Sequence, residues 1–289
     1  MKIQTFNIVT GTTACNANCP FCISKMTPKS GVSEKLQKTN WINFRKACEM
    51  AKTSGVNTVL FTGKGEPLLF PNQITEFLKE MKKFNFPIVE LQTNALEFER
   101  NTKKLNPYLK RWRNLGLNTF VLSIVHYKDK ENKKIYSPNA DYVNLKNIMK
   151  YLHENGFSIR LNCIMINGFI DKIEEVLNMV DFCKKNEVEQ LTLKPVEMIK
   201  NQNTPQAKWT LKNLIPIKVQ KKIQLFLEKK GNRLRTLDSG GVVYDFNGQN
   251  VCFTDCLAGK PFTKDLRQLI FFPDGHLRYY WQYQGAILL

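Results

Sequence analysis

Cys15-Asn16-Ala17-Asn18-Cys19-Pro20-Phe21-Cys22 sets three cysteines at offsets of four and three residues, directly after the strand-like run 3–12. Thiolates this close on one loop can wrap a metal centre, because soft sulfur ligands select zinc, copper(I) or iron–sulfur clusters. A structural zinc site normally closes with four protein ligands. No fourth Cys or His lies nearby; the next cysteine, Cys48, falls inside a helical pattern. Three thiolates fit a four-iron cluster better, with one iron left open for a substrate or cofactor. A partial zinc site is the alternative reading.

Outward from that loop, residues 3 to about 195 alternate short apolar strands with amphipathic helices, the pattern of βα units around a parallel sheet. Helices are predicted over 41–54, 77–84, about 102–115, 141–154 and 172–186. Strands are predicted at 58–61, 88–91, 119–122, 158–165 and 190–193. Gly55 offers a left-handed stop for the first helix. Asp171-Lys172-Ile173-Glu174 resembles a capping box. Alternating polar positions (Glu90, Gln92 and Asn94; Ser123; Arg160 and Asn162; Thr192 and Lys194) point to a polar lumen that holds a ligand. Six βα units are too few for a complete eight-stranded barrel.

The composition changes near residue 196. A polar connection over 196–212 is followed by a basic helix at about 217–230 and short β segments at 233–237, 242–246, 269–272 and 277–281. Pro273-Asp274-Gly275 marks a turn between the last two. The expected division is therefore 1–195 and 196–289.

At 289 residues, with 43% hydrophobic and 24% charged residues, the chain reads as an ordinary globular protein. No apolar run is long enough to span a bilayer, and the first residues open no signal peptide, so a cytoplasmic protein is expected. In that compartment the eight cysteines are cluster ligands or buried thiols rather than disulfides. The net charge of +18 attracts anions: nucleotides, nucleic acid or an acidic peptide. Lys128, Lys130, Lys133 and Lys134 follow the fourth strand, where loops of a βα barrel face the ligand.

The cysteine spacing, with Phe21 before the third cysteine, resembles the signature of the radical S-adenosylmethionine (radical SAM) superfamily. Thr62-Gly63-Lys64-Gly65-Glu66-Pro67 after the second strand resembles that family's Gly-Gly-Glu-Pro motif, with Lys64 interrupting the glycine pair. The resemblance implies a partial (β/α)6 TIM-type barrel, with which the strand count agrees, and a short C-terminal β-rich extension. It implies that Cys15, Cys19 and Cys22 hold a [4Fe-4S] cluster whose fourth iron chelates SAM. One electron then cleaves SAM to a 5′-deoxyadenosyl radical, so an external reductant of flavodoxin or ferredoxin type is implied. Phe21, Gly65, Glu66, Pro67, Asn94, Ser123, Arg160 and Asn162 become the cofactor-binding candidates, with Arg160 available to the SAM carboxylate. Lys194, His126 and Tyr280 are the substrate candidates, and no catalytic residue is assigned.

Within the family the chain looks nearest to the molybdenum-cofactor cyclase and SPASM-like branch, whose extensions carry cysteines for auxiliary clusters. Here only Cys252 and Cys256 lie in that region, too few for a second cluster, so a cluster-free extension is expected. Cys48, Cys163 and Cys183 read as buried structural thiols. The expected substrate is anionic, a nucleotide or nucleic acid. The alternatives are radical modification of a ribosomally made peptide and, from another class, a zinc-containing nucleic-acid-binding module.

Overall fold

Period-two alternation in the apolar runs builds six strands that pair in chain order, all parallel: β1 Thr5–Val9, β2 Thr58–Thr62, β3 Ile88–Thr93, β4 Thr119–Ile124, β5 Ser158–Met165 and β6 Gln190–Pro195. The computed structural model describes residues 3–136, 141–199, 203–237, 240–254 and 266–289. Between the strands lie α1 Trp41–Thr53, α2 Pro71–Met81, α3 Leu96–Asn114, α4 Asp129–Tyr136, α5 Leu145–Glu154 and α6 Ile173–Lys185. Parallel neighbours need such crossovers, and each helix covers the sheet with its apolar stripe. This is the α/β architecture expected from the sequence.

One face of every strand packs on those helices. Phe6, Ile8, Val59, Phe61, Leu91, Phe120, Leu122, Leu161 and Leu193 are fully buried there with Phe44, Phe77 and Trp112 of the helices. Each such side chain contributes about 1.5–3 kcal/mol of burial free energy. The alternate positions point inward and are mostly polar. The predicted lumen set is therefore on one face, as the alternation requires.

After α7 Pro205–Lys212 and α8 Ile217–Lys230 come β7 Asn232–Thr236, β8 Val242–Phe246, β9 Gln249–Phe253, β10 Gln268–Phe271 and β11 Leu277–Arg278. These strands join one eleven-stranded sheet in the order β11-β10-β1-β2-β3-β4-β5-β6-β9-β8-β7. β9 runs parallel beside β6, and β10 runs parallel beside β1. An open row of six strands leaves two edges of unpaired backbone groups, and the C-terminal segment covers both. Nothing in the local sequence of 196–289 announces that it splits between the two edges.

Several local expectations need correction. The lysine-rich stretch after β4 is a helix, α4, rather than a loop. α5 starts at Leu145 instead of Asp141, because the Asn144 side chain accepts from Asn147 N and caps it. The stretch 196–212 contains α7, with Thr204 as its cap. The Asp171–Glu174 capping box does not form: Lys172 occupies the cap position, and the Asp171 carboxylate accepts from Gly168 N at 2.6 Å. α3 begins six residues early and bends at Asn101, whose backbone is non-helical. β9 escaped prediction because Cys252 was read only as part of a cysteine pair. Among the described residues, no helix is long and apolar enough to cross a membrane.

Candidate functional site

The loop after β1 is shaped before any cysteine is reached. Gly11 takes φ +75°, its N–H donates to Gln73 Oε1 at 2.6 Å, and a Cβ there would meet the Phe70 ring at 2.3 Å. Only glycine fits that turn. Cys15, Cys19 and Cys22 follow, all as free thiols, the first exposed and the other two half-buried. Cys22 N donates to Cys19 O, and a single 3-10 turn, Ile23–Lys25, closes the loop. Asn18 N donates to Tyr136 O, so the end of α4 holds the loop down. Phe21 packs edge-on against Tyr136 at 6.1 Å and tilts on Trp209 of α7 at 6.2 Å.

Burial pushes the Cys15 thiol up to about 11 and the Cys19 thiol higher still, and negative charge on the other cysteines adds to both shifts. A cationic metal centre reverses that balance and deprotonates its thiol ligands. Among the described residues, no three His, Cys, Asp or Glu side chains are close enough to hold a single metal ion. Three thiolates on one loop fit an iron–sulfur cluster by donor type.

The loop after β2 is stitched to this one through backbone. A Cβ on Gly65 would lie 1.9 Å from Ala14 O, and Glu66 N donates to the same carbonyl at 2.9 Å. The Glu66 carboxylate then accepts three hydrogen bonds, from Leu68 N (3.0 Å), Thr93 Oγ1 (2.7 Å) and Asn94 N (3.0 Å). It ties the ends of β2 and β3 together, with Pro67 opening the next 3-10 turn. Burial pushes its pKa up to about 7 against the pull of those three donors. Asn94 reaches back to the cysteine loop, donating to Asn16 Oδ1 at 2.8 Å and approaching Cys15 Sγ at 3.8 Å. The resemblance made Glu66 a cofactor-binding candidate; in the structure its carboxylate also buttresses both loops.

Lys64, read in the sequence only as an interruption, is buried with its Nζ 2.5 Å from Thr27 Oγ1 and 5.3 Å from the centre of the Trp281 ring. Burial lowers its pKa to about 8, with the nearby Cys22 charge opposing that shift. Arg278 lies close by, held bidentately by Asp274 (3.1 and 2.7 Å) and stacked on Phe272. Lys64 was not singled out as a site residue from sequence. The signal for Lys64 was present: a cation standing where the resembling motif has glycine.

The strand register orders the lumen into rows. Gln92, Val121 and Arg160 align across β3–β5; Ser123, Asn162, Thr192 and Cys252 align across β4, β5, β6 and β9. Gln92 Nε2 donates to Ser123 Oγ at 3.3 Å. Arg160 pairs with Glu90 through one guanidinium nitrogen at 2.5 Å, so part of its charge is answered within the lumen. Cys252 is buried among the charges of Arg160, Lys194 and Arg235, with burial pushing its thiol upward. Cys256 lies outside the described residues.

Three other candidates are placed differently from expectation. His126 is not at an open rim: it is buried between the end of β4 and α6, its Nδ1 accepting from Lys128 N and its Nε2 3.6 Å from Glu175. Tyr280 packs between Tyr279 and Tyr283, while Trp281 lies against Lys64 of the loop after β2. Along α4, Lys134 pairs with Glu131 at 2.7 Å and Lys133 with Asp141 at 3.4 Å, so much of that basic charge is answered locally.

The profile of the radical SAM superfamily matches residues 9–183, which takes in both loops and β2 to β5. Among curated proteins, the chain is 26% identical over 178 residues to a probable dual-specificity RNA methyltransferase RlmN of Prochlorococcus marinus, covering 57% of this chain and 49% of that one. It is 25% identical over 177 residues to a GTP 3′,8-cyclase of Aquifex aeolicus, covering 60% and 51%. The chain thus spans about half the length of the curated relatives it matches. Among solved structures, SuiB of Streptococcus suis bound to S-adenosylmethionine superposes with a TM-score of 0.57 at 14% identity, over 96% of this chain and 60% of that one. Methylornithine synthase (PylB) gives 0.55 at 14% identity, over 91% and 74%. At that identity the two structures share the fold alone.

Proposed function

Because the chain belongs to the radical SAM superfamily, whose enzymes use a [4Fe-4S] cluster and S-adenosylmethionine, we propose that it directs a SAM-derived radical onto an anionic substrate, a nucleotide or nucleic acid. The cluster, when bound, supplies the electron that cleaves SAM to the 5′-deoxyadenosyl radical, and an external one-electron donor of flavodoxin or ferredoxin type replenishes it. Cys15, Cys19 and Cys22 hold the cluster. Gly65, Glu66 and Pro67 shape the cradle for the SAM amino group, and Asn94, Ser123 and Asn162 line the path of its polar end. Phe21, backed by Tyr136 and Trp209, closes the loop with apolar surface and excludes water from a reactive centre.

Lys194 carries the substrate assignment. It projects from the inward face of β6 near the C-terminal end of the strand, one step beyond the row Asn162–Thr192–Cys252, and among the described residues it pairs with no carboxylate. A half-buried ammonium in a polar lumen attracts phosphate as a point charge. The two curated relatives named above, by their names, act on RNA and on GTP, which agrees with this charge.

The test is binding to the anaerobically reconstituted protein with SAM present, using GTP, a short RNA and a neutral peptide across salt concentrations. RNA held through several phosphates binds with a steep salt dependence and a mononucleotide with a shallow one. Lys194→Met should weaken the preferred anion about tenfold, the loss of one charge-assisted contact. Tight, salt-insensitive binding of the peptide with no anion binding would replace this reading by peptide modification.

A further inference from the structure

We infer that Lys64 is a positioning residue for the electron: its ammonium is the fixed positive charge that raises the reduction potential of the cluster held by Cys15, Cys19 and Cys22. The inference rests on the cluster reading above and goes beyond it, since the family pattern places glycine where this chain has lysine.

A buried ammonium needs a partner, because removing an isolated charge from water costs far more than a hydrogen bond to a hydroxyl returns. Lys64 is only 7% exposed. Its Nζ donates to Thr27 Oγ1 and lies over the Trp281 ring, both neutral groups. The Asp274 carboxylate is already engaged in the two-point pairing with Arg278. Among the described residues no carboxylate pairs with Lys64. Thr27 Oγ1 in turn donates to Ile23 O at 3.0 Å, so the ammonium sits against the turn that directly follows Cys22. Thr27 and Trp281 hold the ammonium in that position from two sides: Thr27 belongs to the cysteine loop, and Trp281 to the segment following β11.

The consequence follows from charge alone. Reduction adds one electron to the cluster and moves no proton, so the reduced state is more negative by one unit. A fixed cation nearby stabilises that state more than the oxidised one, and net charge around a cluster is one of the factors that set its potential. The departure from glycine therefore makes the electron easier to load.

The experiment is an anaerobic redox titration of the reconstituted protein, following the paramagnetic reduced cluster, for wild type, Lys64→Met, Lys64→Gln and Lys64→Arg. At the potential where half of the wild-type cluster is reduced, the methionine and glutamine variants should be reduced to about one part in eleven. That tenfold change in ratio corresponds to about 59 mV for a one-electron couple. Lys64→Arg, which keeps the charge, should stay near wild type. Equal midpoints for wild type and both neutral variants, at equal iron content, overturn the inference and leave the cluster reading intact. Iron loss from both neutral variants while Lys64→Arg keeps its iron and potential would assign Lys64 to building the loop, and also overturns it. A wild-type protein without any cluster would instead remove the reading on which the inference stands.

Discussion

The guanidinium of Arg160 on β5 lies 2.5 Å from the carboxylate of Glu90 on β3, reaching past β4 inside the barrel. Burial raises the Glu90 carboxyl pKa, and the Arg160 charge pulls it back down. The pair thus sets the charge of the lumen floor, below the row that carries Ser123, Asn162 and Thr192.

Glu90→Ala should destabilise the protein by about 3 kcal/mol, the low end for breaking a buried pair because Arg160 keeps some access to water. Glu90→Ala with Arg160→Met should recover most of that loss, since the cost lies in the stranded cation. Chemical denaturation of the three proteins measures both. A single variant as stable as wild type would show that the pair is not held in solution.

Glu66 gives the stability of the SAM-free protein a particular pH dependence. Its carboxyl is pushed up to about 7 from an ordinary 4.5, chiefly by burial. Between those values the folded state binds more protons than the unfolded one, so stability falls as pH rises through that window, by on the order of 3 kcal/mol in total. Glu66→Gln should flatten the slope. Denaturation midpoints from pH 4.5 to 7 check this, and an identical slope in the variant would assign the titration elsewhere.

What the sequence disclosed depended on how local each cause is. The cysteine loop, the six inner strands and the polar lumen were legible because spacing and period-two alternation are written into short stretches. Cys15, Cys19 and Cys22 fall on one loop, and Glu66 and Asn94 meet them from the ends of β2 and β3. The placement of β9 beside β6 and of β10 beside β1 was not legible, because an exposed sheet edge exists only after the inner strands have assembled. His126 shows a similar limit: its place just past β4 is local, while its enclosure by Glu175 of α6 and the Asn132 side chain arises only in the folded chain. The contact of Trp281 with Lys64 was not legible for a related reason, since it spans most of the chain.

Cys252 faces the lumen as a buried thiol beside Arg160 and Lys194, and among the described residues it belongs to no group of three metal-binding side chains. Reconstitution should therefore give about four irons per chain, one cluster. Cys252→Ala, alone or with Cys256→Ala, should leave that number unchanged. A fall to half of the wild-type iron would establish an auxiliary cluster in the C-terminal segment.

The central claim is that the loop of Cys15, Cys19 and Cys22 carries the centre that cleaves SAM. The direct measurement is 5′-deoxyadenosine production by anaerobically reconstituted protein supplied with SAM and dithionite, run beside Cys19→Ala and Cys183→Ala. The account predicts a brown wild-type protein that forms 5′-deoxyadenosine, no product and depleted iron for Cys19→Ala, and undiminished iron and product for Cys183→Ala, whose thiol is buried among α6 core residues. A Cys19→Ala protein that keeps its full iron and still forms 5′-deoxyadenosine would contradict it.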